Sequence, residues 1–253
     1  MPQFTLIKVE FAMKKLWWVV FALSLTGCLD FKQARVTPEH RQLKNNVAIV
    51  SFLNPAPTLQ HLQLSAKDST LTIGQLAGWD ANQVATEFMA KRLRAMTLTV
   101  KQVAYDRAQL PNPYDSSMAY PNLDRMRPAL AKWGAAHGLD MVIAIYRQAD
   151  KDFIGTSIEN LIGYGFVRHG DERTDAYALL YLEAIDTAGG SRIGNSDGIK
   201  AIEVANALWH DAYNVDKIPV PIARADSKAV GKILTQVLTD ALTSAGQEAG
   251  LSN

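Results

Sequence analysis

The chain is most informative in what it lacks. Its 253 residues include one cysteine, Cys28, so no disulfide forms within a molecule. Lysine plus arginine (26) nearly balances aspartate plus glutamate (25), and no basic run is present, which excludes a polyanion groove and with it a nucleic-acid partner. The five histidines, His40, His61, His137, His169 and His210, are scattered, with no pair four residues apart on a helix, so no metal motif appears and no cofactor is expected. No glycine-rich stretch opens a helix as a phosphate loop does, and Gly163-Tyr164-Gly165 is too short to serve. No serine stands in a nucleophile elbow. Repeats, low-complexity tracts and, after residue 25, apolar runs of membrane-spanning length are all missing.

One stretch, Met13 to Cys28 (MKKLWWVVFALSLTGC), carries a clear address. Lys14 and Lys15 give a positive start, Leu16 to Leu25 an apolar run broken only by Ser24, and Leu25-Thr26-Gly27-Cys28 a small-residue ending. That is the layout of an export signal, and its run falls short of the roughly 20 apolar residues a membrane span takes. Glu10 fits such a signal poorly, so Met13 reads as the true start and residues 1–27 as the signal peptide. An ordinary secretory peptide cut near Gly27 would leave a free thiol, and a membrane anchor would need a longer run.

The ending resembles the lipobox of bacterial lipoproteins, in which the cysteine is alkylated with diacylglycerol, becomes residue one and is acylated on its amine. The resemblance implies lipidation at Cys28 and a palmitate-type anchor. In that family an aspartate straight after the cysteine retains the protein at the inner membrane. Leu29 stands there instead, which implies the outer membrane, facing the periplasm. The mature 226 residues would carry 23 basic against 24 acidic groups.

Beyond Cys28 the chain reads as a lipidated tether over 28–45 and one α/β domain over 46–250, a mixed sheet of about five to seven strands with helices on it. Val47–Leu53 is a buried strand stopped by Asn54-Pro55-Ala56-Pro57, and residues 58–74 alternate as a hairpin. Asp80 caps a helix whose apolar face is Val84, Phe88 and Leu93 with Ala85, and Thr97–Tyr105 is a strand. A proline loop covers 107–121. Asn122 caps a second helix with Leu123, Met126, Leu130 and Trp133 on one face, kinked or delayed by Pro128 and ended by Gly138. Residues 140–146 form a buried strand. Residues 174–187 form the longest one, apolar on both sides and therefore covered on both. After the 186–190 turn comes a weaker strand to Val204, and 225–245 is an amphipathic helix with Val230, Ile233, Leu234, Val237, Leu238, Ala241 and Leu242 on its face.

Arg168-His169-Gly170 resembles the signature of histidine phosphatases, and His210-Asp211 their proton donor. The signature follows most of the chain instead of the first strand, and Glu172 stands where a second arginine belongs. The alternative is a polar hairpin turn, RHGDERTD, with a solvated histidine. Asp150, Asp152, Asp171, Glu172 and Asp175 read as solvated carboxylates.

The order of elements, with the Asp186-Thr187-Ala188-Gly189-Gly190 turn after a long strand, is similar to the periplasmic α/β domain of the curli-secretion lipoprotein family and of penicillin-binding-protein activator lipoproteins. A pore-forming hairpin needs a polar lumen face, which residues 177–185 lack. The expectation is a non-enzymatic outer-membrane lipoprotein that binds an envelope protein or its own copies. The alternatives are a carrier of lipid or a small ligand, using the apolar, glycine-broken segment 153–166, and a phosphatase-like enzyme.

Overall fold

The computed structural model describes residues 34–63, 69–103, 105, 109–115, 120–150, 161–215 and 219–252. They form a mixed sheet of nine strands, in place of the expected five to seven, with four helices. Its organising strand is β9 (Arg173–Asp186), the long apolar segment, buried from Thr174 to Leu180 and again from Leu182 to Ile185. β10 (Arg192–Val204) pairs antiparallel with one edge of β9 over Thr174–Ile185, so the strand expected there is present and well paired despite its polar sequence.

Two strands share the other edge of β9. β5 (Met141–Arg147) takes Leu180–Asp186 and β8 (Tyr164–His169) takes Arg173–Ala178, both antiparallel. They meet at Leu179, whose O accepts from Gln148 N at 3.0 Å and whose N donates to Gly163 O at 2.6 Å. Between them the chain makes a two-stranded excursion, β6 (Ala149–Asp150) with β7 (Leu161–Ile162). Two wings grow from this fork. One adds β1 (Asn46–Phe52) parallel to β5 and β4 (Thr99–Val100) parallel to β1. The other adds β2 (Thr58–Leu62) parallel to β8, β3 (Thr70–Gln75) antiparallel to β2 and β11 (Val220–Pro221) parallel to β3.

Helices cover the two faces of the first wing. On one, α2 (Ala81–Ala95) and α4 (Arg224–Glu248) enclose Val47, Leu53, Ile143, Leu180 and Leu182. On the other, α3 (Leu123–Ala136) lays Met126, Leu130 and Trp133 over Ala48, Val50, Val142 and Ile185. Close approach depends on glycine on both sides. A Cβ at Gly134 of α3 would lie 2.8 Å from Val142 Cγ2, and one at Gly198 of β10 would lie 2.6 Å from the Ala241 carbonyl oxygen of α4.

Local chemistry sets the boundaries. Asp80 accepts from Asn82 N and Gln83 N at the start of α2, and Asn122 accepts from Arg125 N at the start of α3. α3 begins at Leu123 despite Pro128, and Gly138, at φ 62°, follows its His137 cap. The α4 face is as read, with Val230, Leu234, Val237, Leu238, Ala241 and Leu242 buried and Ile233 partly so.

Four expectations are corrected. Among the described residues of 97–105 only Thr99–Val100 pairs, as an edge strand, β4, with β1 as its one neighbour. The α2 face agrees with the expected one at Ala85 and Leu93 and differs elsewhere: Ala81, Met89 and Ala90 are also buried, while Val84 and Phe88 lie at its margin. Residues 34–45 are not free tether. Val36 is buried with its N on Ala249 O at 2.8 Å, Ala34 and Asn195 exchange hydrogen bonds, and Thr37 caps a short helix, α1 (Pro38–Leu43). Asp175, finally, is a buried carboxylate on β9, fully shielded from water.

Candidate functional site

The lipobox residues Leu25, Thr26, Gly27 and Cys28 lie outside the described residues, as do 153–160 of the glycine-broken segment. What remains of that segment is core: Leu161 and Tyr164 are buried.

The Arg-His-Gly string is the end of β8 and the turn into β9, as the hairpin reading has it. Alternation along β8 divides it. Arg168 donates from Nη1 to Thr174 Oγ1 at 3.3 Å on one face of the sheet. His169 lies on the other, its Nε2 3.2 Å from Asp175 Oδ2. The contact lacks the alignment of a hydrogen bond, and Asp175 Oδ1 is held by Arg173 through Nε at 3.0 Å and Nη2 at 2.8 Å. Burial therefore prevails over the attraction of the Asp175 carboxylate and holds the His169 pKa below its ordinary value. His169 is thus partly buried against a carboxylate, not the solvated side chain expected. His210 joins neither: its Nε2 lies 2.7 Å from Asp226 Oδ2 in the first turn of α4. The string does not converge on one ligand position.

A different set of residues does converge, at the carboxyl ends of β1 and β5. The chain leaves β1 through the β2–β3 hairpin toward α2 on one face, and leaves β4 toward α3 on the other. The strand order reverses at β1, which has β4 on one side and β5 on the other, and the crevice outside the carboxyl ends at such a reversal is where open α/β sheets place ligands. Here it is a cleft of about 480 Å³ lined by Phe52, Asn54, Pro55, Pro111, Tyr114 and Arg147, with Asn112 and Asp115 among its other walls.

Its parts are fixed individually. Tyr114 closes the crevice floor: its hydroxyl accepts from Arg147 N at 2.7 Å and lies 3.3 Å from both Phe52 O and Arg147 O, bridging the two strand ends. Burial pushes the Tyr114 pKa up, so the phenol keeps its proton for that bridge. Asn54 O accepts from Tyr164 Oη at 2.8 Å, and Leu53 is bound on both backbone groups by the Asn82 amide of α2. The 111–115 loop is tied to α3 by Arg125, which pairs with Asp115 Oδ1 at 2.9 Å and also donates to Asn112 O.

Arg147 is the exception in this well-satisfied setting. Its guanidinium lies 4.0 Å over the Tyr114 ring and donates from Nη1 to Asn54 Oδ1 at 2.6 Å. Nε is buried without a partner, and among the described residues no carboxylate lies within ion-pair distance. Sequence reasoning passed over this group. The signals were an arginine closing an otherwise apolar strand and two proline-asparagine loops after strands. A second hollow, of about 640 Å³ beside β4, has charged residues, Glu87, Arg94 and Lys101, that are all exposed.

No family model matches this sequence, and no curated protein does. Among solved structures, the chain is similar to PelC from Paraburkholderia phytofirmans, a dodecamer, at 11% identity over 78% of this chain and 87% of that one, with a TM-score of 0.32. It is similar to lipoprotein GNA1162 from Neisseria meningitidis at 12% identity over 62% and 83%, with a TM-score of 0.33. For the hypothetical protein CT253 from Chlamydia trachomatis the values are 12%, 82% and 98%, with a TM-score of 0.37. These are distant likenesses, and no residue role is carried over from them. Among the described residues no helix is long and apolar enough to cross a membrane.

Proposed function

We propose that this is a lipid-anchored protein of the bacterial outer membrane, facing the periplasm, whose α/β domain binds another envelope protein or its own copies and performs no catalysis. The observation that carries the reading is the lipobox Leu25-Thr26-Gly27-Cys28, which ends on the chain's one cysteine. A lone cysteine in an exported protein is a reactive liability unless chemically occupied, and lipidation occupies it. The domain supports a binding role through a rigidly built cleft at the carboxyl ends of β1 and β5. Its phosphatase-like string is divided between two faces of the sheet.

The test is chemical crosslinking of the native lipidated protein in cells, followed by affinity recovery from envelope extract. The expected result is a reproducible crosslinked species in the membrane fraction, either a heteromer with one envelope protein or a ladder of the chain itself. Recovery of the uncrosslinked monomer alone, or fractionation with the soluble periplasm, refutes the reading.

A further inference from the structure

We propose that the cleft at the carboxyl ends of β1 and β5 binds the free α-carboxylate at the end of a peptide chain, with Arg147 as its recognition residue. The proposal rests on the reading of the domain as a binding module and names the chemistry of what it binds. Arg147 is a partly buried cation that no described carboxylate neutralises, although ion pairs hold Arg125, Arg127 and Arg173. It is positioned by other means, the Asn54 amide oxygen on Nη1 and the Tyr114 ring beneath its plane. Nε is shielded and makes no hydrogen bond, so it is as part of the cleft lining that the guanidinium meets a ligand. A partly buried cation with no described carboxylate beside it favours an anion in the cleft it lines, and a guanidinium is suited to the oxygens of a carboxylate.

The walls select among anions. Asp115 stands in the same cleft, with Arg125 as its counter-charge, so among the described residues Arg147 supplies one net positive charge there. That suits a monoanion, and a second negative charge, as on phosphate, would meet Asp115. The body attached to the carboxylate meets Phe52, Pro55 and Pro111 together with the amides of Asn54 and Asn112. An alternation of apolar side chain and amide is what a peptide end offers, whereas a long acyl chain would leave those amides unanswered. Holding Arg147 in place before binding removes part of the ordering cost.

The test uses the whole lipidated protein, immobilised in detergent micelles. A mixed hexapeptide library, made once with free carboxyl ends and once amidated, is passed over it and the retained peptides are read by mass spectrometry. Free-acid peptides should be retained about tenfold or more over amidated ones, the effect of one charge-assisted hydrogen bond. The preference should vanish in Arg147→Gln. It should weaken in Asn112→Asp, which adds a negative charge at an exposed position of the cleft and keeps the side-chain oxygen that accepts from Tyr114 N. Should Arg147→Gln fail to fold, Asn112→Asp carries the test by itself. Equal retention of the two libraries overturns the proposal, as does an unchanged preference in Asn112→Asp, or displacement of bound peptide by millimolar inorganic phosphate or decanoate but not by excess free-acid peptide. If the library test fails while crosslinking still recovers an envelope partner, this proposal falls and the binding-module reading stands.

Discussion

Arg168 and His169 are neighbours in the chain and lie on opposite faces of the sheet, one bonded to Thr174 and the other set against Asp175. Phosphoryl transfer to a histidine needs an arginine on the oxygens of the same phosphate, and strand geometry forbids that for adjacent residues of β8. The whole protein should therefore show no turnover of generic phosphomonoesters above blank. Activity that disappears in His169→Ala would reinstate the enzymatic reading.

Glu183 gives a prediction in pH. It points from β9 under α3, fully buried, with Arg127 Nε 3.0 Å from Oε2 and the Tyr146 hydroxyl 3.4 Å from Oε1. Burial raises its pKa above the ordinary glutamate value, and Arg127 only partly offsets this. The folded state then holds this proton to a higher pH than the unfolded chain does. The stability so gained is complete below the unfolded pKa and is lost as pH rises through the folded one. Glu183→Gln has no such proton to lose. In urea unfolding between about pH 4 and 8, wild type should lose stability relative to Glu183→Gln as pH rises. A difference that stays constant across the range would show that Glu183 titrates normally.

Leu234 tests the seat of α4. It is fully buried among the residues that enclose β9, so Leu234→Ala should cost about 2–5 kcal/mol in unfolding free energy. Lys232, two residues earlier and exposed, serves as control, with Lys232→Ala expected within about 0.5 kcal/mol of wild type. If Leu234→Ala behaves like the control, this face of α4 is not seated on the sheet.

What could be read from the chain follows from which interactions are local. Val47–Leu53, residues 140–146 and the two-sided apolar run 174–187 declare themselves as strands, because burial on both faces needs uninterrupted side chains. Asp80, Asn122 and Gly138 declare helix ends, because capping is settled within four residues. Pairing is not local. β-branched residues in 97–105 suggest a strand, but among the described residues only two find a partner beside β1, while the polar β10 is paired along its length. The fork, in which β5 and β8 share one edge of β9, has no sequence mark at all. For the same reason Asp175 reads as a loop carboxylate, although β10 and β8 flank it, and Arg147 reads as an ordinary strand end. Its significance depends on Tyr114, 33 residues earlier, and Asn54, 93 residues earlier.

The anchor gives the last prediction, and the docked segment after it makes the prediction sharper. Each buried methylene adds about 0.8 kcal/mol of membrane affinity, and a single myristoyl chain binds only reversibly. A diacylglyceryl pair with an amide-linked chain on Cys28 would bind practically permanently. Ala34 is already bonded to Asn195 of β10, so six Cα–Cα steps separate it from Cys28, at most about 20 Å of extended chain. A lipidated protein would therefore hold its domain close against the membrane. Metabolic labelling with a palmitate analogue should mark the wild type and miss Cys28→Ala, which should accumulate as a larger precursor held by its uncut signal. Exchange of residues 13–28 for an ordinary cleavable signal should release the domain to the soluble periplasm. A flexible insert of about 20 residues between Cys28 and Ala34 should leave labelling intact while making the domain easier to clip from intact membranes with a bulky protease. Absence of label on the wild type, with the protein in the soluble fraction, would refute lipidation at Cys28 and the outer-membrane location with it.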